Sequence, residues 1–363
     1  MEALTARALL ARTPALTAID ARALLRAAGG ELARAASGAV LREVALPDAA
    51  REFLRSASTD HVAADVEWLE ASGARIVLAS DADYPPLLLA APGAPAALYV
   101  LGSVGALSAP QLAMVGSRSA TAAGRATARE FAAFFARAGL TISSGLATGI
   151  DAASHEGALA GGGLTVAVCA TGLDRVYPRE HRALAQRIAA HGALLSELPP
   201  GTAPLKENFP RRNRLIAALS LGTLVVEAAR KSGSLITARH AADYGREVFA
   251  IPGSIHSPLS RGVHGLIKDG AHLVEEAADV LSQLRIPQPS PAVATQSASA
   301  PAAPELDKEY EMLLDALGFE PATMDVLVAR TELPGESVAS MLLILELQGR
   351  VATSPGGRYS RVP

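Results

Sequence analysis

The sequence predicts an α/β protein: a doubly wound parallel sheet with a small helical domain before it and a winged helix after it. Three observations carry this reading. From Gln111 onward, short β-rich runs alternate with helical stretches, the pattern of parallel strands joined by crossover helices. The junctions that follow the strands are rich in Gly, Ser and Thr. A segment with no charged residue, IPQPSPAVATQSASAPAAP at 286–304, sets the last part of the chain apart. A length of 363 residues exceeds the usual roughly 100–200 residues of one domain, and with half its residues hydrophobic the chain can bury a sizeable core.

In chain order, residues 1–75 show helical spacing in ALTAIDARALLRAAGGELARAASG, with Gly29 and Gly30 as a stop. This is read as an N-terminal helical domain. Residues 76–285 hold the sheet. QLAMV precedes the helical GRATAREFAAFFARAG, LTISS precedes DAASHEGALAG, and LTVAVCA precedes EHRALAQRIAAHG. ALLSE, then TLVVEA with SLITARHAADYG, then REVFAI with a helix near 263–269, continue the series. Ligands in such sheets sit at the carboxyl ends of the strands. The Pro/Ala/Ser-rich 286–304 reads as a linker. In 305–363, MDVLVARTELPGESVASMLLILELQGRVATSPGGRYSRV reads as helix, turn, helix and a hairpin around SPGG, a winged helix.

The formal net charge of −3 argues against coating nucleic acid by bulk charge. The charge is unevenly spread: nine basic against ten acidic residues in 1–75, nineteen against sixteen in 76–304, and five against ten in 305–363. Cys169 is the single cysteine, which excludes an internal disulfide and a cysteine-based zinc site. It lies in the apolar run LTVAVCATG and reads as a small buried hydrophobe. The N-terminus lacks a signal-peptide pattern, and no apolar run reaches membrane-spanning length. A cytoplasmic protein is expected.

The post-strand loops are VGSRSA, SSGLATGID, ATGLDRVYP, SELPPG, VEAARKSGSLIT and PGSIHSPLSRG. Small residues let backbone N–H groups approach anionic oxygens, and a following helix start adds partial positive charge. Phosphate is the ligand class they suit. Tight turns in any α/β protein also need glycine, but six such loops with hydroxyls go beyond that need. G-x-x-x-x-G-K-[ST], a G-x-G-x-x-G after the first strand, G-x-S-x-G and H-E-x-x-H are all missing. Asp151, Ser154 and His155 share a helix face. They are read as structural, Asp151 opening the helix and His155 packing against neighbours. Asp83-Tyr84-Pro85 and Tyr177-Pro178 are read as turns with an anchored aromatic.

Residues 205–246 carry eight basic residues (Lys206, Arg211, Arg212, Arg214, Arg230, Lys231, Arg239, Arg246) against Glu207, Glu227 and Asp243. Phe209 and Asn213 are interleaved with them in FPRRNRLIAALS. A solvated, salt-bridged face is one reading. The aromatic ring and the nearby phosphate-friendly loops favour the other, single-stranded nucleic acid, whose unpaired bases stack on aromatic side chains.

The ordered series AMVGSRSATAAGR, SSGLATGIDAASHEGAL, CATGLDRVYPREHRAL, LLSELPPG, FPRRNRLIAALS, VVEAARKSGSLITARHAADYGREVFAIPG and SRGVHGLIKDGAHLV resembles the DNA-processing protein A family, also called DprA or Smf, over about residues 84–283. The resemblance implies an extended Rossmann-like fold that binds single-stranded DNA as a homodimer. It also implies a mediator that protects incoming strands in natural transformation and loads a RecA-type recombinase. No cofactor, metal or catalytic turnover is implied. Residue by residue, it assigns DNA contact to Gly116, Ser117 and Arg118, to Ser143, Ser144 and Gly145, and to Lys206 and Phe209. Arg211, Arg212, Asn213 and Arg214 follow, and Ser232, Gly233, Ser234 and Thr237 are expected to close the pocket floor.

The sequence departs from the family pattern in three places. His264 stands where the family commonly has Asn, the N-terminal region lacks the Gly-x-Gly of a helix-hairpin-helix, and the winged helix is acidic. The competing function is a Rossmann-like nucleotide phosphoribohydrolase. That class resembles a PGGxGTxxE loop carrying a catalytic glutamate, where RKSGSLITARHA has Ser and Thr.

Overall fold

The computed structural model describes residues 1–286, 308–318, 321–354 and 356–362. The linker read at 286–304 lies, beyond Ile286, outside the described residues. Within them, one nine-stranded sheet runs in the order β1-β2-β6-β5-β4-β3-β7-β8-β9. Its strands are β1 (Arg75–Leu78), β2 (Ala97–Gly102), β3 (Gln111–Val115), β4 (Thr141–Ser144), β5 (Thr165–Val168), β6 (Ala193–Ser196), β7 (Gly222–Val225), β8 (Glu247–Ala250) and β9 (His272–Leu273).

Every residue of β3, β4, β5, β6 and β7 is buried, as short β-rich runs covered by helices on both faces should be. From β3 the chain steps outward through β4, β5 and β6. The helix Asn208–Leu219 then carries it back to β7 on the other flank of β3. This reversal opens a crevice at the carboxyl ends of β3 and β7, where doubly wound sheets bind ligands.

The sheet is parallel from β6 through β9. At the other edge β2 is antiparallel to both β6 and β1, so the sheet is mixed and extends two strands beyond the Gln111 start read from sequence. An apolar run such as ALYVLG carries no signal of direction. The edge it docks on decides that.

Thr17 and Asp20 form a reciprocal cap on the helix Ala18–Ala27, at 3.0 and 3.3 Å. Gly29 and Gly30, with φ of +68° and +87°, stop that helix. Leu9, Leu24, Leu54 and Leu69 from the N-terminal helices share one buried cluster with Ile76 and Tyr99 of the sheet and Ile188 of the helix Arg182–His191. Each such leucine contributes about 1.5–3 kcal/mol by leaving water. Arg12 ties the same region together, pairing with Asp65 at 2.6 and 2.7 Å and reaching the Pro200 carbonyl at 3.2 Å. The apolar face of the helix Ala277–Gln283 is used internally, with Val280 and Leu281 fully buried beside Phe135 and Phe249.

The C-terminal segment folds as a winged helix. The helices Lys308–Leu317, Met324–Thr331 and Gly335–Leu347 enclose their own core, centred on Leu313, Leu327, Val338 and Leu345. A small sheet of Ala322–Thr323, Arg358–Arg361 and Val351–Ser354 closes it.

Candidate functional site

The crevice is built by three loops that lock onto one another. The loop after β3 meets the loop after β7 where the Ser117 N–H donates to the Glu227 carbonyl at 2.7 Å. A Cβ on Gly116 would lie 2.9 Å from that carbonyl, so the close approach requires glycine. The Glu227 carboxylate accepts the Thr121 N–H at 2.9 Å and its hydroxyl at 2.6 Å, seating the start of the helix Ala122–Arg137. From the other side, Ile150 N–H donates to Ser117 at 3.2 Å and the Thr148 hydroxyl donates to the Arg118 carbonyl at 3.2 Å. The Arg118 backbone is therefore clamped while its side chain stays exposed.

The helix Asn208–Leu219 supplies the opposite wall. Successive helical residues turn by about 100°, so the four residues of RRNR point to different places. Arg212 and Asn213 turn into the crevice. Arg211 and Arg214, three apart, both turn to Glu197, at 3.1 and 2.6 Å, and Arg214 also reaches the Gly93 carbonyl at 2.7 Å.

Arg212 is only 7% exposed. It donates to the Val168 carbonyl, and its Nε donates to Asn213 Oδ1 at 3.1 Å. Asn213 passes the connection on to the Gly233 carbonyl at 3.2 Å. Burial lowers the Arg212 pKa, with the nearby Asp151 carboxylate acting in the opposite direction. Burial conversely raises the Asp151 carboxyl, against the pull of Arg212. Gly145 lies between them, where a Cβ would stand 2.7 Å from both terminal nitrogens of Arg212.

Phe209 is the hub of the exposed surface. Arg118 lies over its ring at 5.2 Å from the centroid, a cation–π contact. The Tyr177 ring packs from another side at 5.7 Å. A groove of about 840 Å³ runs along Arg118, Lys206, Phe209, Arg212, Lys231 and Ser232. A smaller cavity of about 300 Å³ opens beside it, bounded by Thr148, Cys169, Thr171, Tyr177, Phe209 and Arg212. Burial pushes the Cys169 thiol up to about 11, so the cavity wall there is a neutral thiol.

Of the residues named from sequence, Gly116, Ser117, Arg118, Lys206, Phe209, Arg212, Asn213, Ser232, Gly233, Ser234 and Thr237 all line the larger groove. Ser232 Oγ accepts the Ser234 N–H at 3.3 Å in the turn just before the helix Ser234–Asp243, whose amino end faces the groove. The structure places the others differently. Ser143 and Ser144 are fully buried. The Ser143 hydroxyl bonds Ser220 at 2.6 Å, and Ser144 donates to the Met114 carbonyl at 2.6 Å. These serines join β4 to its neighbours and leave the groove to the residues around them. Arg211 and Arg214 are drawn away to Glu197, and Gly145 is the spacer between Arg212 and Asp151. Tyr84 is anchored as read, its hydroxyl on the Pro95 carbonyl at 2.6 Å. Tyr177 is not. It is 47% exposed and belongs to the site, which its Tyr-Pro context, shared with an ordinary turn, did not reveal. Lys231 also joins the groove.

His155 has the structural place expected of it. It is fully buried, with Nε2 on the Gly145 carbonyl and Nδ1 by Thr165 Oγ1, both at 2.6 Å. Burial lowers its pKa from the ordinary 6.5 to about 4. Between those values the unfolded chain holds the extra proton and the folded one does not. Stability should therefore fall as pH drops from 6.5 toward 4, by at most about 1.4 kcal/mol per pH unit from this group. The raised Asp151 pKa acts in the opposite sense, so the informative quantity is a difference. Denaturant unfolding of the wild type and His155→Gln at neutral pH and near pH 5 should show a flatter pH dependence in the variant. Equal pH dependence would remove His155 as the cause.

Among the described residues, no helix is long and apolar enough to cross a membrane. Comparison with known proteins matches residues 75–285 to the family described as DNA recombination-mediator protein A and residues 297–357 to the DprA winged helix domain. The chain is 44% identical to Protein Smf of Escherichia coli (strain K12) over 292 residues, which is 80% of this chain and 78% of that one. It is also similar to the X-ray structure of DNA processing protein A from Streptococcus pneumoniae, at 34% identity and a TM-score of 0.67, covering 78% of this chain and 99% of that one. A second solved relative is DNA processing protein A from Helicobacter pylori, described for its unique single-stranded DNA binding mode. It is 29% identical with a TM-score of 0.54, covering 58% of this chain and 95% of that one. With two domains matched in order on a mixed α/β sheet and a winged helix, the chain belongs to the DNA recombination-mediator protein A family.

Proposed function

We propose that the groove binds single-stranded DNA. The observation that carries this is the convergence of Arg118, Lys206, Arg212 and Lys231 around the half-exposed Phe209 ring, at the switch point of the sheet. Cations meet phosphates, and the ring offers a stacking surface to an unpaired base; duplex bases are already stacked on one another. The Helicobacter pylori relative, named for binding single-stranded DNA, supports the same reading. In this role the protein is a cytoplasmic homodimer that protects incoming strands in natural transformation and loads a RecA-type recombinase onto them.

The phosphoribohydrolase reading needs a carboxylate in the 230–237 loop, which presents Ser232, Ser234 and Thr237 instead. The neighbouring Glu227 and Glu197 are committed to Thr121 and to the two arginines. A titration of the full chain with oligo-dT and with a matched duplex, run beside a nucleotide-hydrolysis assay, tests both. Tighter binding of the single strand without base release is expected. Equal affinity for the duplex, or turnover, would overturn the proposal.

The winged helix contributes little to this affinity. Its helix Gly335–Leu347 carries Glu336 and Glu346 with no basic residue, and a helix of that charge is repelled by phosphate. Removal of residues 305–363 should leave oligo-dT and duplex titrations unchanged at physiological salt. A marked loss of duplex affinity on removal would show that the module touches DNA.

A further inference from the structure

We propose that the winged helix of one chain docks, through the outward face of its helix Gly335–Leu347, on the N-terminal helix Ala18–Ala27 of a second copy. The helix Gly335–Leu347 buries Val338, Met341, Leu342 and Leu345 in the core of its own module. Helical residues turn by about 100° each, so Glu336, Leu343 and Leu347 form one line on the opposite side. There Leu343 is 59% and Leu347 80% exposed. A helix that is apolar on both sides is ordinarily covered on both, and an apolar face left in water marks a contact with another macromolecule. Nucleic acid does not suit this one, because the charges beside the leucines are Glu336 and Glu346.

A complementary surface lies near the other end of the chain. Ile19, Arg22 and Arg26 line the outward face of Ala18–Ala27, whose Ala18, Ala21 and Leu24 are buried. Ile19 is 81% exposed, and among the described residues neither Arg22 nor Arg26 makes an ion pair. Asp20, the acid of this helix, is held by the Thr17 cap. Ile19 and Arg26 are seven residues apart, as are Leu343 and Glu336, or about 10.5 Å along each helix. Laid antiparallel, Ile19 covers the leucines while Arg26 meets Glu336. Pairing of two winged helices would instead bring together two modules that each carry ten acids against five bases. Within one chain the two faces stay exposed and apart, because the winged helix rests by its strand Arg358–Arg361 against the helix Ala122–Arg137. The contact therefore joins separate copies head to tail, and such contacts build chains of molecules unless they close into a ring.

Light scattering of the full chain without DNA, from micromolar to millimolar concentration, tests this. The wild-type mass should climb with concentration. Arg26→Glu and Glu336→Arg each place like charges at the contact and should weaken the association by about three- to tenfold. Mixing these two variants brings opposite charges together again and should restore it, which a contact inside one chain could not do. Leu343→Asp/Leu347→Asp should abolish it. All four positions are exposed, so denaturant unfolding should show each variant as stable as the wild type. A wild-type mass fixed across the range, single reversals that associate as the wild type does, or a mixture that fails to recover would overturn the proposal. Loss of association in Leu343→Asp/Leu347→Asp with no effect of Ile19→Asp would also overturn it, and would assign the leucines to pairing between winged helices.

Discussion

Alanine at Arg118 or at Lys206 is expected to weaken binding to every single strand and to flatten its salt dependence by about 0.7 in the log–log slope per lost phosphate contact. Phe209→Ala is expected to lower affinity by about 1–3 kcal/mol with the slope nearly unchanged, because stacking releases no counterions. The structure adds a coupling that charge counting alone does not contain. Arg118 lies over the Phe209 ring, so removing the ring also frees the arginine. Neighbouring residues of this kind are non-additive by about 0.5–3 kcal/mol, and Arg118→Ala/Phe209→Ala should depart from the sum of the single losses. Arg212 is a poor substitute in this experiment, since it is buried and bonds the Val168 carbonyl. Oligo-dT titrations at several salt concentrations read all of these effects. Unchanged affinity in Arg118→Ala, Lys206→Ala and Phe209→Ala together would move the DNA site elsewhere.

Gly149→Ala should damage both stability and binding. Gly149 has φ of +78°, and a Cβ there would stand 2.7 Å from the Arg118 carbonyl oxygen and 2.8 Å from its carbon. The backbone strain alone costs about 1–3 kcal/mol. The clash must also push apart the two loops joined by the Ile150–Ser117 and Thr148–Arg118 hydrogen bonds, which carries Arg118 away from Phe209. Gly162 is the control, because its φ is +75° yet a Cβ there meets nothing within 4 Å. Gly162→Ala should lose some stability and keep its oligo-dT affinity. Denaturant unfolding and titration of both variants would test this, and equal affinities would show that the loop clamp does not set the site.

Much of the fold was legible because its signals are local. QLAMV and TVAV are short β-rich runs now buried in the sheet, and helical spacing with glycine stops marked the connections. The loops that bear the site were legible too, since a close approach such as Gly116 against Glu227 demands glycine in the sequence itself. Phe209 stood out among the basic residues around it, Arg118 and the Ser232–Thr237 stretch came from motif resemblance, and the groove contains them all.

What the sequence by itself determined was the strand and helix runs, the glycine-rich turns and the concentration of positive charge in 205–246. Tertiary structure alone decided which of those charges face a ligand. Arg211 and Arg214 meet Glu197, and Arg214 meets a carbonyl 121 residues away. Ser143 and Ser144 turn inward to Ser220 and Met114, while Tyr177 turns outward onto Phe209. Periodicity reports which face of an element is apolar over a few residues. A long polar side chain takes whichever partner the fold brings within about 3 Å, and that partner comes from a segment whose position no local pattern encodes.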